Sequence, residues 1–178
     1  GFGMFINGEL MTVATFNPPA HGKVANLFGS HPDAAAFTLA LTRFCSHPLA
    51  PRNSTSKTIS TALRWLPRLL PQFGAIIAQT DLSVTDPWGR PHTGISNYGG
   101  ANALYLGKTI SEFPGFWNPA TGAFKSRKSA KRTYRREDCP EGWVVLESRT
   151  LNNFLWTVGP QAKEIRKALR PETKALIR

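Results

Sequence analysis

The strongest constraint on the fold comes from residues 37–70, where an apolar segment, a polar loop and a helical pattern follow one another. The nearly continuous apolar content of residues 37–45 is typical of a buried, central strand. The loop, residues 51–57, supplies hydroxyl groups together with Arg52 and Lys57. It leads into a helix, whose N-terminal N–H groups and positive dipole end favour an anion. This order predicts a phosphate-type anion site.

The same loop also has a simpler interpretation as a helix cap. Asn53, Ser54 and Ser56 are residue types whose side chains commonly bond to the first N–H groups of a helix. In that case they would satisfy the first turn and bind no ligand. The residues alone leave both interpretations open.

The segments before and after this stretch predict an α/β (α+β) fold. Asn7-Gly8 separates two β-type runs within residues 3–16 and favours a type I′ hairpin. A further apolar run at residues 74–81 follows the helix, so a right-handed crossover and a parallel strand pair are expected. The loop then lies at the carboxyl end of the first parallel strand, where open sheets bind ligands. Pro67 is expected to end or kink the helix.

The rest of the chain predicts a mixed, twisted sheet flanked by helices in one domain, residues 1–178. It divides into a core at 3–110 and a basic C-terminal part at 125–178. Because little of the given sequence precedes the hairpin, we expect either a fold that is abbreviated at its N-terminus or a sequence that begins partway into the fold. The later expected elements are a short helix or turn at 94–102, a strand at 103–110, two antiparallel strands at 143–148 and 152–158, and a basic amphipathic helix after 160 interrupted at Pro171.

Positive charge is concentrated late in the chain. The net charge is +11 and the pI is about 10.3. Residues 1–124 hold 8 basic and 5 acidic residues, whereas residues 125–178 hold 14 and 6. Within residues 125–136, seven of twelve are basic and none is acidic, which predicts a nucleic-acid face and not merely a solvated one. These are Lys125, Arg127, Lys128, Lys131, Arg132, Arg135 and Arg136.

Several functional classes lack their sequence signals. No apolar run is long enough to span a membrane, so a soluble, intracellular protein without a membrane partner is expected. Cys45 and Cys139 are too few for a disulfide framework or a structural zinc site, and the four histidines form no His-x-x-x-His pair. We therefore predict no metal site; a catalytic metal held by ligands distant in sequence stays an open alternative. A Walker loop, a dinucleotide glycine fingerprint and a serine-hydrolase motif are also absent.

The order hairpin, strand, phosphate-type loop, helix, strand, short helix, strand resembles the GNAT N-acyltransferase fold. In detail the chain is similar to the Mom-like phage proteins, which modify adenine in DNA, over roughly residues 3–170. The resemblance is carried by Leu41-Thr42-Arg43-Phe44, Pro51 to Lys57, Ala62-Leu63-Arg64-Trp65-Leu66, Ala78-Gln79-Thr80-Asp81, His92-Thr93-Gly94, Tyr98, Ala101-Asn102 and Leu104-Tyr105-Leu106-Gly107.

This resemblance implies that acetyl-CoA or a related acyl-CoA binds at the loop. The implied cofactor-binding residues are Arg52, Asn53, Ser54, Thr55, Ser56, Lys57 and Asn102. Tyr98 would protonate the departing thiolate, for which a phenol of pKa about 10 is suited; alternatively it is a packed core aromatic. Asp81 or His92 would orient the amine or take its proton; alternatively Asp81 caps a loop and His92 makes a structural hydrogen bond.

The resemblance also implies transfer of the acyl-CoA-derived group to the adenine amine, giving protection from restriction in the cytoplasm of an infected bacterial host. The base would have to leave the DNA stack and be held by aromatics, for which Trp88, Phe116 and Trp117 are loop candidates. Two alternatives remain: a generic N-acyltransferase acting on a protein or small amine, and a catalytically inactive GNAT-like protein that binds nucleic acid.

Overall fold

A computed structural model describes residues 1–19, 27–28, 34, 36–83, 85, 93–110, 112–128 and 132–171. These residues form a mixed α+β structure that is rich in strands. The strands are β1 (Phe2–Ile6), β2 (Glu9–Asn17), β3 (Thr38–Ser46), β4 (Ala75–Asp81), β5 (Leu104–Ile110), β6 (Gly115–Asn118), β7 (Ala123–Ser126), β8 (Val144–Val145) and β9 (Thr150–Thr157). The helices are α1 (Ser54–Leu69), α2 (Ile95–Gly99) and α3 (Ala162–Ala168), and a 3-10 turn spans Arg136–Asp138.

The chain divides into two compact units. Unit 1 comprises Gly1–Thr80, Thr93–Gly107 and Asn152–Arg178, and unit 2 comprises Asp81–His92 and Lys108–Leu151. The prediction of one domain stays a prediction, since compact units can form within a single domain.

The main sheet has the strand order β1-β2-β3-β4-β9-β5. β1 pairs antiparallel with β2 and β2 with β3, whereas β3 and β4 are parallel. The predicted hairpin is confirmed, with positive φ at Asn7 (51°) and Gly8 (84°). The interior position of β3 and its parallel pairing with β4 across α1 are confirmed as well.

Both faces of this sheet are covered. Ile76 on β4 belongs to one hydrophobic cluster together with Ile59 of α1. Its neighbour Ala75 belongs to a second cluster together with Ile165 of α3. Because successive side chains of a strand point to opposite faces, α1 and α3 cover opposite sides of the sheet. Phe28, 2 % exposed, packs in the second cluster.

The predicted antiparallel pairing of residues 143–148 with residues 152–158 is wrong. Val144 and Val145 of β8 pair with β6, and β9 lies between β4 and β5 in the main sheet. The physical reason lies in the burial of β9, whose Phe154, Leu155 and Trp156 are all buried. A strand that is apolar on both faces belongs inside a sheet covered on both sides, not in an edge hairpin.

Unit 2 contains a three-stranded sheet in the order β7-β6-β8. Gly115 begins β6 with φ 151°, and a Cβ there would lie 2.1 Å from the Lys125 carbonyl oxygen. Glycine is therefore required at this position of the β6–β7 pair.

Pro67 lies in the last turn of α1, and the helix ends two residues later at Leu69, as expected for a proline near a helix end. The predicted short helix at 94–102 is α2. Of the expected basic C-terminal helix, the structure describes α3, which ends at Ala168 ahead of Pro171.

Candidate functional site

The loop before α1 does not cap the helix with side chains. Asn53 at the N-cap has a left-handed backbone, φ 66°, and makes no side-chain capping bond. The Ser54 hydroxyl donates to the Pro51 carbonyl, and the Ser56 hydroxyl donates to the Asn53 carbonyl at 3.1 Å. The hydroxyls thus bond to carbonyl oxygens, so the simple capping interpretation is wrong. The N–H groups of the first turn are left with no side-chain partner.

The electrostatics of this loop favour an anion. Arg52 and Lys57 are exposed, and the first turn of α1 contains no acidic residue. Thr55 and Ser56 are half-buried, and Ser54 is buried. The positive end of the helix dipole adds to the two cations.

Tyr98 lies on α2 and is buried in the core, with 6 % of its surface exposed. Its ring makes edge-to-face contacts with Phe154 and Trp156, at centroid distances of 4.9 and 5.3 Å. Burial raises the pKa of Tyr98 to about 12, because an apolar environment disfavours the phenolate. The phenol therefore remains protonated throughout the physiological pH range.

The structure brings α2 and the first turn of α1 together. A Cβ at Gly100, just after α2, would lie 3.4 Å from Ser56 Cβ and 3.0 Å from the Ser96 carbonyl oxygen. The end of the Tyr98 helix therefore lies within van der Waals reach of the predicted cofactor loop. Asn102 follows in an exposed, left-handed position, φ 59°. The Trp156 Nε1–H donates to the Ala101 carbonyl at 2.8 Å and holds this turn against β9.

Sequence reasoning missed a buried polar network that fixes the entry to α2. The Thr93 carbonyl accepts hydrogen bonds from Thr80 Oγ1 at 2.8 Å and from Asn152 Nδ2 at 2.9 Å. Tyr105 donates its hydroxyl proton to Asn152 Oδ1 at 3.0 Å. The available signal was Asn152, a polar residue beginning an otherwise apolar run, since a buried amide needs partners.

Asp81 forms a local turn and an ion pair within unit 2. Its carboxylate accepts bonds from the Ser83 backbone N–H (2.9 Å) and hydroxyl (2.6 Å), and lies 3.1 Å from Arg149. Burial alone raises the pKa of Asp81, but the Ser83 bonds and the Arg149 charge outweigh it and lower the pKa overall. These contacts agree with the alternative in which Asp81 caps a loop. Its catalytic role stays a prediction. His92 lies outside the described residues.

In the described part of the basic segment, three arginines have acidic partners. Salt bridges join Arg127 to Glu112, Arg132 to Asp138 (3.1 Å) and Arg136 to Glu147 (3.2 Å). Aromatic rings lie beneath several of these cations. Lys125 and Arg132 lie over Tyr134, and Arg127 and Arg136 lie over Phe113.

For two further cations of the predicted nucleic-acid face, Lys128 and Arg135, the contacts described are made by the backbone. Lys128 is exposed and bridges Thr133 through its backbone. The Arg135 backbone N–H donates to Asp138 Oδ2 at 2.7 Å, which fixes the 3-10 turn. Lys131 lies outside the described residues. The nucleic-acid role of the segment stays a prediction.

The three aromatic candidates for base stacking have different surroundings. Phe116 is fully buried on β6, so its proposed stacking role is wrong; alternation along the strand turns it into the core of unit 2. Trp117 is 39 % exposed, and cross-strand register places it beside Phe124 on β7 and Val144 on β8. These three side chains form an exposed apolar row. Trp88 lies outside the described residues.

Neither a membrane span nor a metal cluster occurs in the described ranges. No helix there combines the length and apolar character that crossing a membrane requires. No group of three metal-ligating side chains lies together among the same residues.

A protein-family model gives the similarity of this chain to known proteins. No curated protein matches the chain. The model of the Mom protein family matches residues 1–150, most of the sequence. Similarity to the wider GNAT superfamily stays a prediction. The chain therefore belongs to the Mom protein family, which favours a role in phage DNA modification with DNA as the substrate.

Proposed function

We propose that the protein transfers an acyl-CoA-derived group to the exocyclic amine of adenine in phage DNA, which protects the DNA from restriction. Within unit 1, the uncapped and basic start of α1 packs against the helix that carries Tyr98. In a chain of the Mom family, this juxtaposition of an anion site with a buried phenol is the observation that carries the proposal.

The residues at the start of α1 fit the pyrophosphate of an acyl-CoA. Arg52 and Lys57 supply charge, and the N–H groups of the first turn are free of side-chain caps. The loop lacks the glycines usual for a wrapped pyrophosphate, but Asn53 adopts the left-handed backbone that a glycine would otherwise provide. Acyl-CoA supplies a thioester, and transfer forms a C–N bond to the amine and breaks the C–S bond.

Tyr98 is the proposed proton donor to the leaving sulfur. Its raised pKa keeps the proton on the phenol until it is needed. The amine must in turn lose a proton, for which Asp81 and His92 remain the proposed acceptors. The lowered pKa of Asp81 keeps it ionised, so it is better suited to orienting the amine than to holding its proton.

DNA recognition is assigned to unit 2 in this proposal. An adenine inside a duplex must be extruded before its amine can react, and the extruded base needs an aromatic surface. The exposed row of Trp117, Phe124 and Val144 offers such a surface. Lys128 and the other cations of residues 125–136 would contact phosphates.

The test is the mass of nucleosides from DNA coexpressed with the protein. We expect a heavier deoxyadenosine, whose mass difference identifies the transferred group. The double variant that combines Arg52→Ala and Lys57→Ala should form no modified nucleoside, because both cations hold the acyl donor. Arg43→Ala with Lys163→Ala removes two exposed cations outside the loop and should leave the product in place.

A binding measurement identifies the cause of a negative result. Acetyl-CoA should raise the Tm of the wild-type chain but not of the variant with Arg52→Ala and Lys57→Ala. A folded wild-type chain that leaves the nucleosides unmodified would contradict the proposal. If such a chain ignores acetyl-CoA yet binds DNA, the inactive nucleic-acid-binding alternative is correct.

A further inference from the structure

The outer face of α1 carries a line of positive charge. Lys57, Arg64 and Arg68 are exposed and are separated by seven and four residues. At 3.6 residues per turn these spacings return to the same side of the helix. We call these three residues the α1 stripe. The opposite side, with Ile59 and Leu66, is buried against the main sheet.

No acid among the described residues is paired with a charge of the α1 stripe. The helix sequence, STSKTISTALRWLPRL, has no acidic residue. Among the described residues, Lys57, Arg64 and Arg68 form no salt bridge. The arginines of residues 125–136 differ in this respect, because Arg127, Arg132 and Arg136 are each paired with a carboxylate.

The charge balance of the two units agrees with this contrast. The sequence ranges of unit 1 contain 12 basic and 4 acidic residues, whereas those of unit 2 contain 10 and 7. Most of the net charge of +11 therefore belongs to unit 1. An excess of uncompensated cations is the electrostatic requirement for binding a polyanion.

An aromatic residue lies beside the α1 stripe. Trp65 is 48 % exposed, and the Arg68 guanidinium lies 5.2 Å from its ring centroid. This contact fixes the direction of a long side chain that would otherwise move freely, so less entropy is lost when Arg68 binds a phosphate. The twelve residues from Lys57 to Arg68 extend roughly 16 Å along the helix at ~1.5 Å per residue step, enough to reach more than one phosphate of a strand.

We propose that the α1 stripe binds the phosphate backbone of the DNA substrate. This inference rests on the proposed function, because it takes DNA as the partner, and it adds a contact surface in unit 1 to the predicted one in unit 2. The stripe begins at Lys57, in the loop assigned to the acyl donor, so the bound backbone leads toward that loop.

The test is the salt dependence of binding to a fluorescent DNA duplex, with Arg64→Gln and Arg68→Gln combined in the full chain. Each phosphate contact adds about 0.9 to the slope of log affinity against log salt, so the double variant should lower that slope by about 2. The affinity should fall about tenfold at moderate salt, and equally for unrelated sequences. The charge-preserving pair Arg64→Lys and Arg68→Lys should recover most of the slope.

A matched pair, Lys163→Gln with Lys167→Gln on α3, removes the same charge from the opposite side of the main sheet. An equal loss of slope in this control, or an unchanged slope in the α1 variant, would overturn the proposal. An unchanged rise in Tm with acetyl-CoA would demonstrate that the variant is folded. If the α1 variant binds DNA as tightly as the wild type does, and the wild type still modifies deoxyadenosine, only this inference fails. If the wild type itself binds no DNA, the proposed function fails as well.

Discussion

Tyr98 couples the chemistry of the candidate site to the stability of the protein. Its pKa is raised from 10.0 to about 12 because its ring is enclosed by Phe154 and Trp156. A raised folded-state pKa means that the folded chain holds the phenolic proton more tightly than the unfolded chain. The associated stability is fully present below pH 10 and is lost as the pH rises toward 12.

We expect Tyr98→Phe to abolish base modification while preserving the fold, since a phenyl ring keeps the edge-to-face contacts. Between about pH 9 and pH 12, the wild type's free energy of unfolding should fall by up to about 3 kcal/mol because of this residue, at ~1.4 kcal/mol per pKa unit. Denaturant unfolding measures this loss. The variant should show a smaller alkaline loss. An identical loss in both proteins would mean that Tyr98 does not hold its proton as described.

Gly94 is a second residue on which the site depends. It has φ 72°, and a Cβ there would lie 2.4 Å from Thr80 Cγ2. Gly94→Ala should therefore lower the free energy of unfolding by about 3 kcal/mol or more, since steric overlap adds to the ~1–2 kcal/mol of left-handed strain. Gly8→Ala, at φ 84° with open space around it, should cost only the strain. Denaturant unfolding measures both losses in the free energy of unfolding. Comparable losses at the two positions would exclude the steric overlap with Thr80 as a contribution at position 94.

At the scale of elements, successive side chains of β6 point to opposite faces of its sheet and therefore have different roles. Phe116 is fully buried, whereas its neighbour Trp117 lies in the exposed apolar row with Phe124 and Val144. Contact between water and apolar side chains is unfavourable, so three exposed apolar side chains aligned across neighbouring strands favour a ligand-binding surface. The two neighbours should therefore respond differently to truncation.

Trp117→Ala should weaken binding to a duplex with an unpaired adenine by about 1–3 kcal/mol, the range for loss of one stacked base. It should leave unfolding nearly unchanged. Phe116→Ala should instead destabilise unit 2 by about 3–5 kcal/mol through the cavity it creates. Fluorescence anisotropy and denaturant unfolding of both variants distinguish the roles. Unchanged affinity in a folded Trp117→Ala variant would remove the stacking assignment.

The elements that sequence predicted well are those set by local patterns. The hairpin follows from Asn7-Gly8, and α1 follows from apolar spacing and a polar loop. Strand partners were harder to predict, because a continuous apolar run such as β9 specifies burial on both faces but not which strands lie beside it. The left-handed Asn53 and the close approach at Gly100 were also missed, since both depend on contacts distant in sequence.

At the scale of the whole molecule, charge counting along the sequence does not reveal which cations are paired with acids. Residues 125–136 contain no acid, yet Glu112, Asp138 and Glu147 reach them from outside that segment. In α1 the cations are fewer, but no such partners occur among the described residues. Both the local density of lysine and arginine and their pairing with acids therefore determine how strongly a surface attracts a polyanion.

The position of β9 has a consequence for how the protein is made. β4 and β5 are both synthesised before β9, the strand at residues 150–157 that lies between them in the main sheet. Until the ribosome has released that segment, the two strands retain open hydrogen-bonding edges that other nascent chains can pair with. Such late closure of distant contacts slows folding and lengthens exposure to aggregation. Synthesis in a crowded cell should therefore make the yield of folded protein sensitive to the speed of translation between the codons for β5 and those for β9.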